Sequence, residues 1–164
     1  LSGLASELLL KRYIIPPTSD PSGLLAQHEA GLFEELRGIL SKLDHHRSDA
    51  FNEQIMPECV GLVKAIGHRM AYDAAVASDV DPALVDLFVA SIVKQDSAWY
   101  VEKAGISRAQ QRQMEAAALA VVFPRLEEFL AQMDVEAYIS APMVSDKAWD
   151  DYVQMLPEFA AVAI

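Results

Sequence analysis

Asp81-Pro82-Ala83-Leu84-Val85-Asp86-Leu87-Phe88-Val89-Ala90-Ser91-Ile92 opens on a capping side chain, follows it with a proline at the first helical position, and then repeats apolar residues at helical spacing. Leu84, Leu87, Phe88, Ile92 and, further on, Trp99 share one face, which predicts a helix with one side turned to a core and Gly105 as its terminator. The same pattern extends in both directions. Upstream, Leu24, Leu25, Leu32, Phe33, Leu36, Ile39, Leu40 and Leu43 form a 3.6-residue stripe behind a cap supplied by Asp20 or Ser22, and Pro16-Pro17 stops an earlier helix over residues 2–14. Between these, Ser48 caps a helix reaching Ala77 and kinked at Pro57. Its interior Gly61 and Gly67 each cost about 1 kcal/mol relative to alanine, which predicts a neighbouring helix passing close by.

Downstream, Ser107 caps a helix bent at Pro124, with Met114, Ala118, Val121, Val122, Leu126, Phe129, Leu130 and Met133 as its core stripe. A short helical turn runs from Asp134 to Ile139, interrupted by Pro142, and Ser145-Asp146 caps a last helix carrying Trp149, Tyr152, Val153 and Leu156 up to Pro157. No strand-like alternation competes, and no repeat of 20–50 residues is present. The reading is an all-α protein, an antiparallel helical bundle of about five or six helices, built as a single domain over residues 1–164.

Charge and composition exclude several functions. A net charge of -11 lacks the basic stripe that displaces counterions from a phosphate backbone, so no nucleic acid is expected, and a coenzyme A nucleotide would need cations from elsewhere. No uncharged apolar run approaches the roughly 18 residues of a membrane span, so no membrane partner is expected. The single cysteine, Cys59, has no internal disulfide partner and lies in an apolar helical stretch, which reads as a small buried hydrophobe in an intracellular reducing compartment. A start at Leu1 implies a processed chain or a piece of a longer one.

No catalytic kit is visible. None of the four histidines follows a glutamate by three residues, as a helical di-iron site requires, and His45-His46 sits in an interhelical break as a solvated corner. Glu34-Glu35 and Glu127-Glu128 are consecutive, so each pair diverges by about 100° on a helix and reads as solvated charge. His68 with Tyr72, and Arg69 with Asp73, share a helix face and read as a hydrogen-bonded rim of the bundle. Catalytic and metal residues are therefore expected to be absent. Trp99, Tyr100, Trp149 and Tyr152 are the candidate interface residues, because aromatic side chains with polar tips serve both cores and protein contacts.

Asp96, Trp99, Tyr100, Glu102, Gly105, Ile106, Ser107 and Gln110 resemble a stretch in the C-terminal helical domain of the acyl-CoA oxidase and acyl-CoA dehydrogenase-like flavoenzymes, fungal types above all. Leu84-Val85-Asp86-Leu87-Phe88 ahead of it, and Pro124-Arg125 and Ala141-Pro142-Met143 behind it, are similar to the family in the same order, so the likeness spans about Ile55 to Met143. The chain departs from the family at Ser145–Tyr152, where the family has a Gly- and Asn-containing segment before a Tyr-Glu pair. The resemblance implies a lobe of an FAD-dependent enzyme of fatty-acid beta-oxidation that converts fatty acyl-CoA to 2,3-enoyl-CoA, packing on catalytic domains and supporting a homodimer. It also implies that the catalytic glutamate and the flavin site belong to those other domains, that FAD is bound by the parent enzyme, and that the location is peroxisomal, which follows from the likeness alone since Phe159–Ile164 contains no Ser-Lys-Leu address; a cytoplasmic location is the other expectation. The residues alone leave a second reading open: an autonomous helical module that binds protein or lipid without catalysis.

Overall fold

The computed structural model describes residues 14–45, 48–135 and 145–158 together with Gly3, Glu7, Leu9, Leu10, Tyr138, Ile139, Ala141 and Met143. The protein is all-α, an antiparallel helical bundle, with no strand among the described residues. Its helices are α1 (Leu24–Leu40), α2 (Asp49–Gln54), α3 (Cys59–Ala77), α4 (Pro82–Gln95), α5 (Ser97–Glu102), α6 (Arg108–Val122), α7 (Leu126–Gln132) and α8 (Asp146–Met155). They are more numerous and shorter than expected, because polar side chains and prolines stop the chain where the apolar pattern alone runs on. The helix expected over residues 2–14 falls largely outside the described residues, as do His46, Pro142, part of the turn after Asp134 and the tail from Phe159.

Local capping decides most starts. The Ser48, Asp81 and Ser145 side chains accept from the N–H groups of Phe51, Ala83 and Ala148, and Pro82 follows Asp81 at the first helical position. Ser107 makes a full capping box: its hydroxyl receives the Gln110 N–H at 3.3 Å while the Gln110 side chain receives the Ser107 N–H at 2.8 Å. The start of α1 departs from the expected Asp20 or Ser22 cap, since Gly23 occupies the cap position with no side-chain bond and Asp20 is engaged by Ser22 instead.

Two expected long helices are broken. The Ser48–Ala77 helix is two elements, because the chain leaves the helix after Gln54 and Pro57 lies in the turn before Cys59. The helix expected to run from Asp81 to Gly105 breaks at Asp96, whose φ of -122° and ψ of 54° are not helical and whose carboxylate caps α5 through the Trp99 N–H at 3.4 Å. Gly105, at φ 69°, ends α5's connection to α6 in the left-handed region that glycine enters without strain.

The contacts divide the chain into two compact units, Leu1–Phe123 and Pro124–Ile164. In the first, α1 lies on α3, α3 on α4, and α4 on α6. Leu9, Leu36, Phe51, Ile55, Cys59, Leu62 and Ile66 form one buried cluster, capped by Leu32, Phe33 and Ile39 from α1. Burial pushes the Cys59 thiol above its ordinary value, and its S–H donates to the Ile55 carbonyl at 3.3 Å, so this sulfur packs as a small hydrophobe. The face of α4 is rotated from the expected one: Ala83, Val85, Ala90, Ile92 and Val93 are buried, while Leu84, Leu87 and Phe88 are half-buried. In the second unit Phe129 is buried and Arg125 stacks on its ring at 4.6 Å.

The stripe expected from Met114 to Met133 is corrected in the same way. Ala118 and Val122 are buried, but Val121 is already exposed within α6, and Leu126, Leu130 and Met133 are exposed beyond the 3-10 turn at Phe123–Arg125, which replaces the expected bend and breaks the helical phase at Pro124. The close helix expected at Gly61 and Gly67 is also absent: a Cβ at either position would meet nothing within 4 Å. Gly67→Ala therefore gains helix propensity without a clash and should stabilise the protein by about 1 kcal/mol in urea unfolding.

Candidate functional site

Of the residues that carry the sequence resemblance, Asp96, Trp99 and Tyr100 join a cluster with His28, while Glu102, Gly105, Ser107 and Gln110 are exposed. Asp96 leaves the helix and offers its carboxylate in two directions, one oxygen to the Trp99 N–H and the other to His28 Nε2 at 2.9 Å. His28 stands on α1 and is buried, with the Trp99 indole edge-on at 4.8 Å and the Tyr100 ring at 5.1 Å. Tyr100 is fully buried, and its hydroxyl donates to the Leu24 carbonyl at 3.3 Å, which ties α5 to the first turn of α1. Burial, with the Asp96 charge second, pushes the Tyr100 phenol well above its ordinary value, so it remains protonated and serves as a donor.

Trp99 lies against Gly31. A Cβ there would collide with the indole, so Gly31 is the glycine where two helices approach closely. No acceptor among the described residues reaches the buried Trp99 Nε1. Gly31→Ala adds about 1 kcal/mol of helix propensity yet forces the indole off its seat, an overpacking cost of roughly 1–3 kcal/mol. The net change should be destabilising, opposite in sign to Gly67→Ala, and paired urea titrations read that contrast directly.

A His-Asp pair also occurs in acid-base catalysis, where the imidazole faces substrate and the carboxylate lies behind it. Here the order is reversed: the His28 side chain is 7 % exposed and that of Asp96 41 %. Among the described residues no nucleophile is hydrogen-bonded to His28, whose ring nitrogen meets the Asp96 carboxylate. The pair therefore fixes α1 against the α4–α5 junction. Gln111 completes the junction from α6, its amide donating to the Ser97 and Ile106 carbonyls at 3.1 and 3.0 Å.

A second polar cluster centres on Arg69, which sequence spacing assigned to the rim and which is buried at 3 % exposure. Its Nε donates to Glu29 of α1 at 2.7 Å and its Nη1 to Asp73, one turn on, at 3.0 Å. Asp73 in turn receives the Thr18 and Ser19 hydroxyls at 2.9 Å each, so one carboxylate holds the proline-rich segment before α1 against α3. Burial raises the Asp73 carboxyl, but the hydrogen bonds from Arg69, Ser19 and Thr18 outweigh it and hold the group below its ordinary 3.8. The hydrogen bond to Glu29 raises the Arg69 guanidinium above its already high value.

The four aromatic residues expected at an interface separate into two kinds. Tyr100 has no exposed surface and Trp99 is half-buried in the first unit, whereas Trp149 and Tyr152 are exposed on α8 with their rings 5.9 Å apart. Nothing in the sequence marked His28, Gly31, Glu29 or Gln111, whose roles depend on partners far along the chain. Among the described residues no three His, Cys, Asp or Glu side chains are grouped as metal ligands, and no helix is long and apolar enough to cross a membrane. No family model matches the chain, and neither a curated protein nor a solved structure matches it.

His68 is half-buried on α3, edge-on to Phe88 at 6.4 Å. Burial, then the nearby His28 and Lys64 charges, lower its pKa from 6.5. A base with a lowered folded-state pKa favours the unfolded chain once protons become available, so its penalty is absent above pH 6.5 and grows as pH falls toward the folded-state value. The melting temperature of His68→Gln should therefore fall less than that of the wild type on acidification below 6.5, and the two curves should run parallel above it.

Proposed function

We propose that the chain is a C-terminal helical lobe of an FAD-dependent acyl-CoA oxidase-like flavoenzyme, packing on the catalytic domains and supporting dimerisation. The observation that carries the enzyme class is the sequence likeness around Asp96–Gln110, and the one that supports a packing role is the amphipathic α8, where the chain departs from that family. Trp149, Tyr152, Val153 and Leu156, spaced i, i+3, i+4, i+7, form an apolar stripe that stands exposed at 40–48 % each. The opposite side bears Asp150, Asp151 and Lys147, the last paired with Asp151 at 2.6 Å. A contiguous apolar stripe on an otherwise charged helix marks a contact surface. The sequence likeness around Asp96–Gln110 supplies the class of enzyme, and the net charge of -11 agrees with the nucleotide of FAD and of coenzyme A being held by other segments.

In this arrangement the chain performs no chemical step. Its Asp96-centred cluster keeps the bundle rigid, and α8 carries the contact to the flavin-bearing part. Isolated from its native source, the polypeptide should accompany visible flavin absorbance and acyl-CoA-dependent peroxide release. A Trp149→Ser/Tyr152→Ser variant should lose that association while its helical circular dichroism and melting temperature stay at wild-type values. A native polypeptide that purifies with neither a flavin-bearing partner nor a larger parent would sink the reading. In that case the exposed stripe would belong to an autonomous binding module.

A further inference from the structure

A pocket of about 180 Å3 opens between α1, α3 and the end of α4. Four ionisable side chains line it: His28 from α1, Lys64 and His68 from α3, and Asp96 from the end of α4. Asp96 is already engaged by His28 and by the Trp99 N–H. Lys64 and His68 face the pocket, and among the described residues no carboxylate is hydrogen-bonded to or ion-paired with either, in a chain whose overall balance is strongly acidic. Leu32 and Ile92 give the remaining wall an apolar character, and Gly61 leaves the space beside Lys64 open, since a Cβ there would touch nothing within 4 Å.

We propose that this pocket binds a small carboxylate with a short apolar body, its charged end between Lys64 and His68 and its hydrocarbon against Leu32 and Ile92. The site is independent of the flavoenzyme reading and of α8. His68 stays uncharged more readily than a free imidazole because it is desolvated and feels two basic neighbours. A bound anion supplies the missing countercharge and favours protonated His68. Linkage then requires the converse, that carboxylate affinity rises as pH falls through the His68 titration. Phosphate carries more charge but has no apolar body to occupy the Leu32 and Ile92 wall, so a monocarboxylate fits better.

The test is the NMR titration of the His68 ring proton in the full chain, at matched ionic strength, in sodium chloride, sodium butyrate and sodium phosphate. Butyrate should raise the midpoint by about half a pH unit relative to chloride, which corresponds to roughly threefold tighter binding to the protonated form. Lys64→Met, at an exposed position, should keep the wild-type melting temperature and raise the midpoint in chloride, because one of the cations that lowers it is gone. That variant should show no further rise in butyrate. The proposal is overturned if butyrate and chloride give the same midpoint, if Lys64→Met retains the butyrate shift, or if phosphate moves the midpoint and butyrate does not.

Discussion

Arg69→Met should lower the unfolding free energy by roughly 3 kcal/mol, a loss typical of removing one partner from a buried ion pair and stranding the other. The guanidinium sits between Glu29 and Asp73, whose side chains are 15 % and 19 % exposed, so both carboxylates would be left partly desolvated and close to each other. Methionine fills most of the same volume, which separates the charge effect from a cavity effect. The loss should also depend on pH. In the wild type the Asp73 carboxyl is held below 3.8, so it stabilises the fold above that value and the contribution disappears as pH falls through its folded-state titration. Without Arg69 the carboxyl should move up, and acid unfolding should begin at higher pH. Glu29→Gln/Asp73→Asn in the Arg69→Met background removes the stranded charges and should recover part of the loss. Urea titrations of the wild type, the single variant and the triple variant at neutral and acid pH give all of these values. A single variant as stable as the wild type would show that Arg69 does not hold α1 to α3.

What could be read in the sequence was what is local. Ser48, Asp81, Ser107 and Ser145 cap helices through bonds to N–H groups two or three residues away, so residue type and spacing suffice. Asp96 illustrates the limit. An aspartate within a continuous apolar pattern reads as a solvated helix position, yet it ends α4 because it caps α5 and meets His28, 68 residues earlier. The glycines make the same point, since Gly31, Gly61 and Gly67 carry the same propensity cost and only the rotation of each helix decides that Gly31 alone faces an indole. Arg69 looked like half of a surface i, i+4 pair because Asp73 is local, while Glu29, which draws it into the interior, is 40 residues away. Leu126, Leu130 and Met133 are exposed because a 3-10 turn changes the number of residues per turn at Pro124, and a stripe extrapolated across it loses phase. For the candidate site, the motif residues were visible but their partners were not. The aromatic pair Trp99-Tyr100 reads equally as core or contact until its burial is known.

Tyr100→Ala should cost about 4 kcal/mol, at the upper end for a large-to-small change, because the side chain is fully buried and its neighbours cannot collapse into the space. His28 and Trp99 both rest against the ring, at 5.1 and 5.2 Å, and each is fixed from its other side, His28 by Asp96 and the Trp99 backbone by the same carboxylate. The cavity would therefore remain open rather than fill. Tyr100→Phe separates the two contributions of the residue: it keeps the ring and removes a single long hydrogen bond to the Leu24 carbonyl, a loss of about 1 kcal/mol. The ratio of roughly four to one identifies packing as the main role of this position. Trp99 supplies a local reporter, since the other tryptophan, Trp149, is exposed on α8 and contributes a constant background. In Tyr100→Ala the Trp99 emission should shift to the red as water reaches the indole, and in Tyr100→Phe it should not. If the alanine and phenylalanine variants lost equal stability, the hydroxyl rather than the ring would hold α5 to α1, and the interior placement of the Asp96–Tyr100 motif would no longer account for its energetics.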